Sequence, residues 1–254
     1  MSEERAEGMP GAEGGARVAL VTGAATGIGR ACARALAAEG FRVAVHYRAS
    51  EARARELARE LPGAFAVRAD LASSEEIDAL INLLREEAGR IDVLVNNAGY
   101  NVNAPLPLMK LDDYDSVAAI ARGTWYLTKL VLRRFMLRQQ AGRIINISSV
   151  VGHTGNRGQS PYTMVKAGLD ALTKSLCQEL AGRPILVNSV APGFIETEMT
   201  AALPEEIRQA IIARIPQGRL GTPEEVAEVV AWLATRASYV NGSVVHVNGG
   251  MYGG

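Results

Sequence analysis

The stretch Thr22-Gly23-Ala24-Ala25-Thr26-Gly27-Ile28-Gly29 decides the fold, because it joins a short apolar run to a helical pattern. The run RVALVT (17–22) predicts a buried strand, and GIGRACARALAAEG (27–40) predicts an Ala-rich helix that ends at Gly40. Glycines in such a turn let the backbone bend tightly and approach a pyrophosphate, which binds the free N–H groups at the helix N-terminus. The Gly-x-x-x-Gly-x-Gly spacing differs from the usual Gly-x-Gly-x-x-Gly fingerprint, and a glycine-rich turn that only packs is the alternative.

The alternation of strands and helices continues to the end of the chain. Further apolar runs predict strands at FRVAVHYR (41–48), AFAVRA (64–69), IDVLVNNAG (91–99), GRIINIS (142–148), ILVNSVAPG (185–193) and SVVHVNGG (243–250). Helical patterns lie between them, at 51–63, from Ser73 with a start typical of a capping box, at about 113–138, at 160–182 and at 223–237. Crossovers of a dozen or more residues require a parallel sheet that is covered on both faces. We therefore predict an α/β fold, a single doubly wound Rossmann-type domain with about seven parallel strands.

Composition excludes several classes of protein. The 254 residues include 27 basic and 27 acidic side chains, and 48% of the residues are hydrophobic, so disorder of the whole chain is excluded. No apolar run approaches the roughly 20 residues that a membrane-spanning helix needs, so no membrane contact is predicted. The formal net charge of zero argues against general nucleic-acid binding.

Two local features bear on the location of the protein. Residues 1–16 mix Gly, Glu and Ala without a period, and they predict a flexible tail rather than a secretory signal. Cys32 and Cys177 both lie within helical patterns, so a disulfide framework is not indicated and a reducing cytoplasm fits. No group of His, Cys and Asp residues has the spacing of a metal site, and we predict no metal.

The ends of the next strands carry residues that suit a dinucleotide. The second strand ends at Arg48 and lacks the acidic residue that holds both ribose hydroxyls of NAD, so NADPH is favoured. Arg48 then pairs with the 2′-phosphate, unless it is an ordinary solvated arginine. Asp70-Leu71 follows the third strand, where the carboxylate accepts from the adenine amino group or else caps the next helix. In Asn96-Asn97-Ala98-Gly99 the small residues let the chain run close under the adenosine, and the asparagines tie strand ends together.

Three residues of the second half suit carbonyl reduction. Ser149 lies just beyond a strand, Tyr162 follows thirteen residues later, and Lys166 comes one helical turn after Tyr162, on the same face. A carbonyl oxygen that gains negative charge needs a proton, and tyrosine, with an ordinary pKa of about 10, is a weak acid at neutral pH. A nearby lysine ammonium stabilises the phenolate, while Ser149 holds the substrate oxygen. The alternative is a Tyr and a Lys on a solvated helix face.

These motifs together resemble the short-chain dehydrogenase/reductase family, over residues 17–254. The resemblance rests on TGAATGIG (22–29), NNAG (96–99), the set of Ser149, Tyr162 and Lys166, and Pro192-Gly193. Within the family the chain is most similar to the bacterial 3-oxoacyl-[acyl-carrier-protein] reductases. The stretches that carry this are GRIINISSVVG (142–152), GNRGQSPYTMVKAGL (155–169), VNSVAPGFIETEMT (187–200), IPQGRLGTPEEVA (215–227) and HVNGGMY (246–252).

The resemblance implies a function and further site residues. It implies an NADPH-dependent ketoreductase of β-keto thioesters, usually a homotetramer, with a cofactor half at about 17–140 and a catalytic half at about 141–254. Ile195 and Thr197 would contact the nicotinamide, and residues near 196–215 would form a mobile lid. The predicted cofactor-binding residues are Gly23, Thr26, Gly27, Ile28, Gly29, Arg48, Asp70, Leu71, Asn97, Ala98, Gly99, Tyr162, Lys166, Pro192, Gly193, Ile195 and Thr197. A reductase of another small carbonyl and a weakened nucleotide-binding partner subunit are the alternatives.

One position departs from the family pattern. Relatives usually carry an asparagine in the long helix after the fourth strand, where it supports a water chain to the lysine. The matching position here is Ile120 or Ala121, and neither side chain can form a hydrogen bond. We therefore predict that Tyr162 regains its proton by another route, or that turnover is slow.

Eight basic residues lie in a window without any Asp or Glu, from Ser116 to Leu169. They are Arg122, Lys129, Arg133, Arg134, Arg138, Arg143, Arg157 and Lys166. We expect this basic window to surround the active site and to steer in an acidic acyl carrier protein, with a solvated face or pairing between subunits as the alternative. By the resemblance, Arg183 matches a carrier-docking position, and the other such position is Gln140. His153 is expected to be a loop residue near the substrate mouth.

Overall fold

Seven parallel strands form one sheet in the computed structural model, which describes residues 15–201 and 204–253. The strand order is β3-β2-β1-β4-β5-β6-β7. The strands are β1 (Val18–Val21), β2 (Arg42–Tyr47), β3 (Phe65–Arg68), β4 (Val93–Asn96), β5 (Gly142–Ile147), β6 (Ile185–Pro192) and β7 (Val244–Val247). The predicted parallel sheet is confirmed. The predicted flexible tail, apart from residues 15 and 16, lies outside the described residues.

Helices follow the strands in the order that the sequence pattern predicts. They are α1 (Gly27–Ala38), α2 (Glu51–Glu60), α3 (Ser74–Glu87), α4 (Leu111–Val131), α5 (Leu137–Gln139), α6 (Val151–Thr154), α7 (Ser160–Glu179), α8 (Glu198–Ala201), α9 (Glu205–Ile212) and α10 (Pro223–Thr235). A short 3-10 helix covers Leu106–Leu108. Among the described residues, no helix is both long enough and apolar enough to cross a lipid bilayer.

The core lies in two layers because the central strands, such as β1 and β4, bury both of their faces. Along β1, Ala19 and Val21 pack into one apolar cluster together with residues of α1 and α10. Val18 and Leu20 alternate with them and pack into a second cluster with residues of α3, α4 and α7. This period-two alternation covers the sheet with helices on both sides, and the predicted doubly wound fold is confirmed.

The direction of winding reverses next to β1. The chain proceeds from β1 through β2 to β3 on one side, and β4 then pairs with the opposite edge of β1. Loops that leave β1 and β4 at their carboxyl ends must diverge, and the crevice between them is where open α/β sheets bind ligands.

Two predicted details need correction. The helix expected over 113–138 is α4 followed by a π-helical turn, Leu132–Met136, and by α5. The buried side chains of this turn keep helical spacing, so the sequence pattern does not reveal the wider turn. Ser73 does cap α3, since its Oγ accepts from the Glu76 N–H at 3.2 Å, but the Glu76 carboxylate accepts from the Asp70 N–H instead of completing a capping box.

Candidate active site

A cleft of about 680 Å³ opens at the carboxyl ends of the strands, a volume typical of small-molecule and cofactor sites. Every predicted site residue lines it. These are Gly23, Thr26, Gly27, Ile28, Gly29, Arg48, Asp70, Leu71, Asn97, Ala98, Gly99, Ser149, Tyr162, Lys166, Pro192, Gly193, Ile195 and Thr197. Residues that are up to 174 positions apart in the sequence thus come together at one site, as the topology requires.

The glycine-rich turn has the shape of an anion cradle. Gly23 and Gly27 have positive φ angles of 63° and 52°, which favour glycine. A Cβ on Gly29 would lie 2.3 Å from the Gly23 carbonyl oxygen, so this glycine lets the turn fold back on itself. At the N-terminus of α1, the N-cap residue Thr26 makes no side-chain hydrogen bond to the helix, and the first turn carries no acidic side chain. The N–H groups of this helix end are therefore suited to a bound phosphate.

A buried histidine supports this turn. The His46 Nδ1 accepts a hydrogen bond from the Gly23 N–H at 3.1 Å, and its Nε2 lies 3.0 Å from the Ala69 carbonyl oxygen. These partners require a neutral ring with the proton on Nε2. Burial lowers the pKa of His46 to about 4, although the Ala69 carbonyl and the charge of Asp70 act in the opposite direction. The sequence alone assigns His46 no role, because a histidine at the end of an apolar strand has no distinguishing pattern.

The loops after β1 and β4 are tied together by side chains. Thr22 Oγ1 donates to the Val95 carbonyl at 3.1 Å and accepts from the backbone N–H groups of Asn97 and Ala98. The Asn97 side-chain amide donates back to the Thr22 carbonyl at 2.8 Å. One strand further, Asn96 donates to Asn146 Oδ1 at 2.8 Å, and so joins the ends of β4 and β5. The prediction that these asparagines tie strand ends together is confirmed.

Asp70 and Leu71 are held at the cleft by their own turn and by α4. Asp70 Oδ1 accepts from the Ala72 N–H at 2.9 Å, and the helix cap is Ser73, so the capping alternative for Asp70 is wrong. A Cβ on Gly123 of α4 would lie 1.7 Å from the Leu71 carbonyl oxygen. Only glycine permits this approach, and the sequence analysis missed Gly123 because an isolated glycine in a helix carries no specific signal.

Tyr162 and Lys166 share one face of α7, as their spacing predicts. The Lys166 Nζ lies 5.5 Å from the centre of the Tyr162 ring, and it donates to the Ile147 carbonyl at 2.7 Å. Lys166 is only 4% exposed, and among the described residues it takes part in no ion pair. Ser149, just past β5, accepts at its Oγ from the Val151 N–H at 3.3 Å. The phenol of Tyr162 and the buried amine of Lys166 thus lie side by side at the cleft.

The segment after β6 forms one wall of the cleft. The Gly193 N–H donates to the Val247 carbonyl at 2.9 Å, and Ile195 pairs with Gly221 in an isolated parallel bridge. Residues 196–215, the predicted lid, contain α8 and α9, and positions 202 and 203 lie outside the described residues. From α8, Glu198 pairs with Arg53 of α2 at 2.7 Å. This exposed ion pair joins the predicted lid to the side of the cleft that carries Arg48.

Apolar residues occupy the predicted gap in the active site. Ile120 lines the cleft, and Ile120 and Ala121 together line a small cavity beside Tyr162 and Lys166. Its volume of about 10 Å³ is at the lower limit of the space that one water molecule needs. From α4, one turn after Ile120, Thr124 contributes a hydroxyl group to this lining. Ile120 and Ala121 therefore present no side-chain hydrogen-bonding group to this cavity.

The basic window does not surround the cleft. Of its eight residues, Lys166 alone belongs to the cleft lining in the part of the chain that the structure describes. Lys129 and Arg133 line a separate groove of about 380 Å³ between α4 and α7, together with Arg183. Arg143 is the second residue of β5, at the amino ends of the strands and so opposite the cleft. The expected position of the basic window is wrong. Between α4 and the end of β5 the chain runs to the amino ends of the strands and back again, so the residues of the window are spread along the full length of the strands.

His153 also differs from expectation. It lies in α6 rather than in a loop, and it is outside the lining of the cleft. Its Nε2 lies 2.9 Å from Asp170 of α7.

Comparison with known proteins gives one family. A family model described as enoyl-(acyl carrier protein) reductase matches residues 23–252. The 3-oxoacyl-[acyl-carrier-protein] reductase FabG of Aquifex aeolicus (strain VF5) is 48% identical over 243 residues, which cover 93% of this chain and 97% of that protein. The protein of the same name from Staphylococcus aureus (strain Mu50 / ATCC 700699) is 44% identical over 240 residues, 92% of this chain and 97% of that protein. The 3-oxoacyl-[acyl-carrier-protein] reductase of Synechocystis sp. (strain ATCC 27184 / PCC 6803 / Kazusa) is 45% identical over 242 residues, with coverage of 93% and 97%.

Proposed function

Because the chain belongs to the short-chain dehydrogenase/reductase family, we propose that it reduces a 3-oxoacyl (β-keto) thioester to the 3-hydroxyacyl thioester with NADPH, in fatty-acid or polyketide-like biosynthesis. The observation that carries this proposal is the position of Tyr162 and buried Lys166, one helical turn apart, in the same cleft as the glycine-rich turn. The three relatives described above are named for this reaction.

The cleft fits a nicotinamide cofactor. The pyrophosphate would rest on the N-terminus of α1, which has no competing acidic side chain in its first turn. Asp70 would accept from the adenine amino group, since Ala72 occupies one of its oxygens and the other remains available. When bound, the reduced nicotinamide supplies the hydride that the substrate carbonyl carbon receives.

The residues of the chain supply the proton and hold the oxygen. The Tyr162 hydroxyl donates its proton to the carbonyl oxygen as negative charge develops there. The Lys166 ammonium stabilises the phenolate that remains, and burial strengthens this interaction because few waters screen it. The Ser149 hydroxyl donates a hydrogen bond to the same substrate oxygen and keeps it in line with Tyr162. Reprotonation of Tyr162 proceeds without an asparagine at positions 120 and 121.

NADPH is preferred over NADH in this proposal because of Arg48. This arginine is exposed at the end of β2 and lines the cleft, so its guanidinium is free to pair with a 2′-phosphate. Substitution Arg48→Gln should raise the KM for NADPH about tenfold or more, with the KM for NADH nearly unchanged.

An acyl carrier protein is the proposed macromolecular partner, with a CoA thioester as the alternative form of the substrate. The groove between α4 and α7 offers an excess of positive charge to an acidic carrier, since its lining holds three cations, on Lys129, Arg133 and Arg183, and one carboxylate, on Glu179. Self-association into a homotetramer is also proposed. Three leucines that are more than 70% exposed, Leu106, Leu108 and Leu111, support it, because a surface of this kind is commonly covered by another subunit. A cytoplasmic location completes the proposal, in keeping with the free thiols of Cys32 and Cys177.

A substrate panel tests the proposal. Purified protein is mixed with NADPH or NADH, and the absorbance at 340 nm is followed with 3-oxoacyl thioesters on carrier protein and on CoA. The panel also contains an enoyl thioester and small free ketones. Turnover that is fastest with a 3-oxoacyl thioester and NADPH supports the proposal. Faster reduction of the enoyl thioester or of a free ketone overturns the assignment of the substrate.

The apolar side chain of Ile120 favours a second candidate, a weakened subunit that binds nucleotide and works beside an active homologue. NADPH binding without turnover of any thioester, together with activity that appears only when a homologue is added, supports this alternative. Full activity of the purified chain alone excludes it.

A further inference from the structure

A buried carboxylate lies close to the proposed catalytic residues but outside the cleft lining. Asp170 is 4% exposed, and it follows Lys166 by one turn on α7. A carboxylate at this depth is costly unless a positive charge or hydrogen bonds compensate it. The compensating group in the structure is His153 of α6, whose Nε2 lies 2.9 Å from Asp170 Oδ2.

The contact between His153 and Asp170 is close but poorly aligned. The two groups lie within ion-pairing distance, yet neither oxygen of Asp170 has a well-aligned hydrogen-bond donor among the described residues, and His153 Nε2 has no well-aligned acceptor. The two polar groups therefore pack side by side at the junction of α6 and α7, and each is the partner that keeps the other from being buried alone.

Two further rings enclose His153. His246 of β7 packs against it edge-to-face at 4.8 Å between ring centres, and the Tyr252 ring lies 5.0 Å away. Burial lowers the pKa of His246, the neighbouring His153 lowers it further, and Asp170 partly opposes both effects. Among the described residues, His153 is the side chain whose nitrogen lies within ion-pairing distance of the Asp170 carboxylate.

The pair joins the segment that carries Ser149 to the helix that carries Tyr162 and Lys166. Within the Ser149 segment, the Gly152 N–H donates to the Ser149 carbonyl at 3.0 Å, which makes α6 an extension of the serine loop. A Cβ on Gly152 would lie 2.9 Å from the Ala167 nitrogen, so α6 touches the backbone of α7 next to Lys166. His153 and Asp170 make a further contact between the same two helices, and a shift of α6 along α7 would change the position of Ser149 relative to Tyr162.

We propose that His153 and Asp170 form a positioning pair that fixes Ser149 relative to Tyr162 and Lys166. Neither member of the pair lines the cleft, so the pair acts through α6 and α7 and does not touch substrate or cofactor. The inference rests on the proposed function, because its main readout is turnover of a β-keto thioester.

The test is a double-mutant cycle on the rate constant kcat. His153→Gln and Asp170→Asn should each lower kcat about tenfold or more, because a small displacement of a catalytic group slows the reaction strongly. The dissociation constant for NADPH, measured by fluorescence, should stay within about twofold, since the glycine-rich turn is untouched. The double variant should be no slower than the slower single variant, because two residues that act as one unit are not additive.

Asp92→Asn is the matched control. Asp92 is 2% exposed and pairs with Arg90 at 2.6 Å, at the amino edge of the sheet and away from the cleft. Its loss should lower the unfolding temperature and leave kcat unchanged, which separates loss of any buried ion pair from loss of positioning.

Three outcomes overturn the inference: full kcat in both single variants, additive losses in the double variant, or an equal loss of kcat in Asp92→Asn. If Asp170→Asn does not fold, the kcat of His153→Gln alone tests the inference: a loss of about tenfold supports it, and full kcat overturns it. If the wild-type protein reduces no thioester, the proposed function fails, and backbone hydrogen exchange over residues 149–155 then tests the pair. Faster exchange in Asp170→Asn than in the wild type supports positioning, and unchanged exchange contradicts it.

Discussion

The buried neutral state of His46 predicts a specific loss of stability in weak acid. The ring accepts from the Gly23 N–H through Nδ1, so protonation would place an N–H on Nδ1 directly against the Gly23 N–H, inside the core. The pKa of His46 is lowered from 6.5 to about 4 by burial, with the Ala69 carbonyl and Asp70 opposing. The unfolded chain therefore binds a proton at a higher pH than the folded protein does, and the folded protein loses stability as the pH falls below 6.5.

The size of the effect follows from the two pKa values. Between pH 7 and pH 5 the free energy of unfolding should fall by about 2 kcal/mol on account of His46 alone, and by about 3 kcal/mol once the pH is below 4. Above pH 7 the contribution should be flat. An asparagine at this position can keep an acceptor near the Gly23 N–H but does not titrate, so His46→Asn should abolish this pH dependence.

The assay is urea unfolding followed by circular dichroism, at one protein concentration, for the wild type and His46→Asn at pH 7 and pH 5. Other titrating groups act in both proteins and cancel in the difference. The wild type should lose about 2 kcal/mol more than the variant on going to pH 5, although the variant starts lower by about 1 kcal/mol for the lost Ala69 contact. An equal loss in both proteins would refute the reasoning, because His46 would then be protonated at no extra cost.

Three further tests, the first with a matched control variant, probe close contacts and the proton supply. Gly152→Ala should lower kcat about tenfold, since its Cβ would lie 2.9 Å from the α7 backbone. The control is Gly168→Ala, a position on α7 with open space around it, which should retain full activity in the same assay. Gly123→Ala should lower the free energy of unfolding in urea by about 3 kcal/mol, because its Cβ would overlap the Leu71 carbonyl; an unchanged midpoint would mean that α4 can move away. Ile120→Asn should raise kcat and reduce its solvent deuterium isotope effect, and no change in either would show that proton return does not limit turnover.

Much of the fold could be predicted because it depends on local periodicity. The alternation of buried strands with helices over residues 17–250 is explicit in the sequence, and the position of Tyr162 and Lys166 follows from one helical turn. The role of His46 could not be predicted, because it depends on β2, β3 and the glycine-rich turn meeting at one point.

The basic window shows a different limit of sequence analysis. A run of residues in the chain is not a patch in space, since the chain passes from α4 beside the cleft to the start of β5 at the amino ends of the strands. The groove with Lys129 and Arg133 gains its third cation, Arg183, from beyond the end of α7. Only the tertiary fold brings these side chains together, because the first and the last are more than fifty positions apart.

In the proposed reaction Tyr162, supported by Lys166, protonates the substrate oxygen during a nicotinamide-dependent reduction. This role is tested by measuring kcat for a 3-oxoacyl thioester with NADPH in the wild type and in Tyr162→Phe, together with the dissociation constant for NADPH in both proteins. We expect kcat to fall about a hundredfold or more while NADPH binding is retained, because the substitution removes the proton donor and keeps the ring. Equal kcat in the two proteins would contradict it.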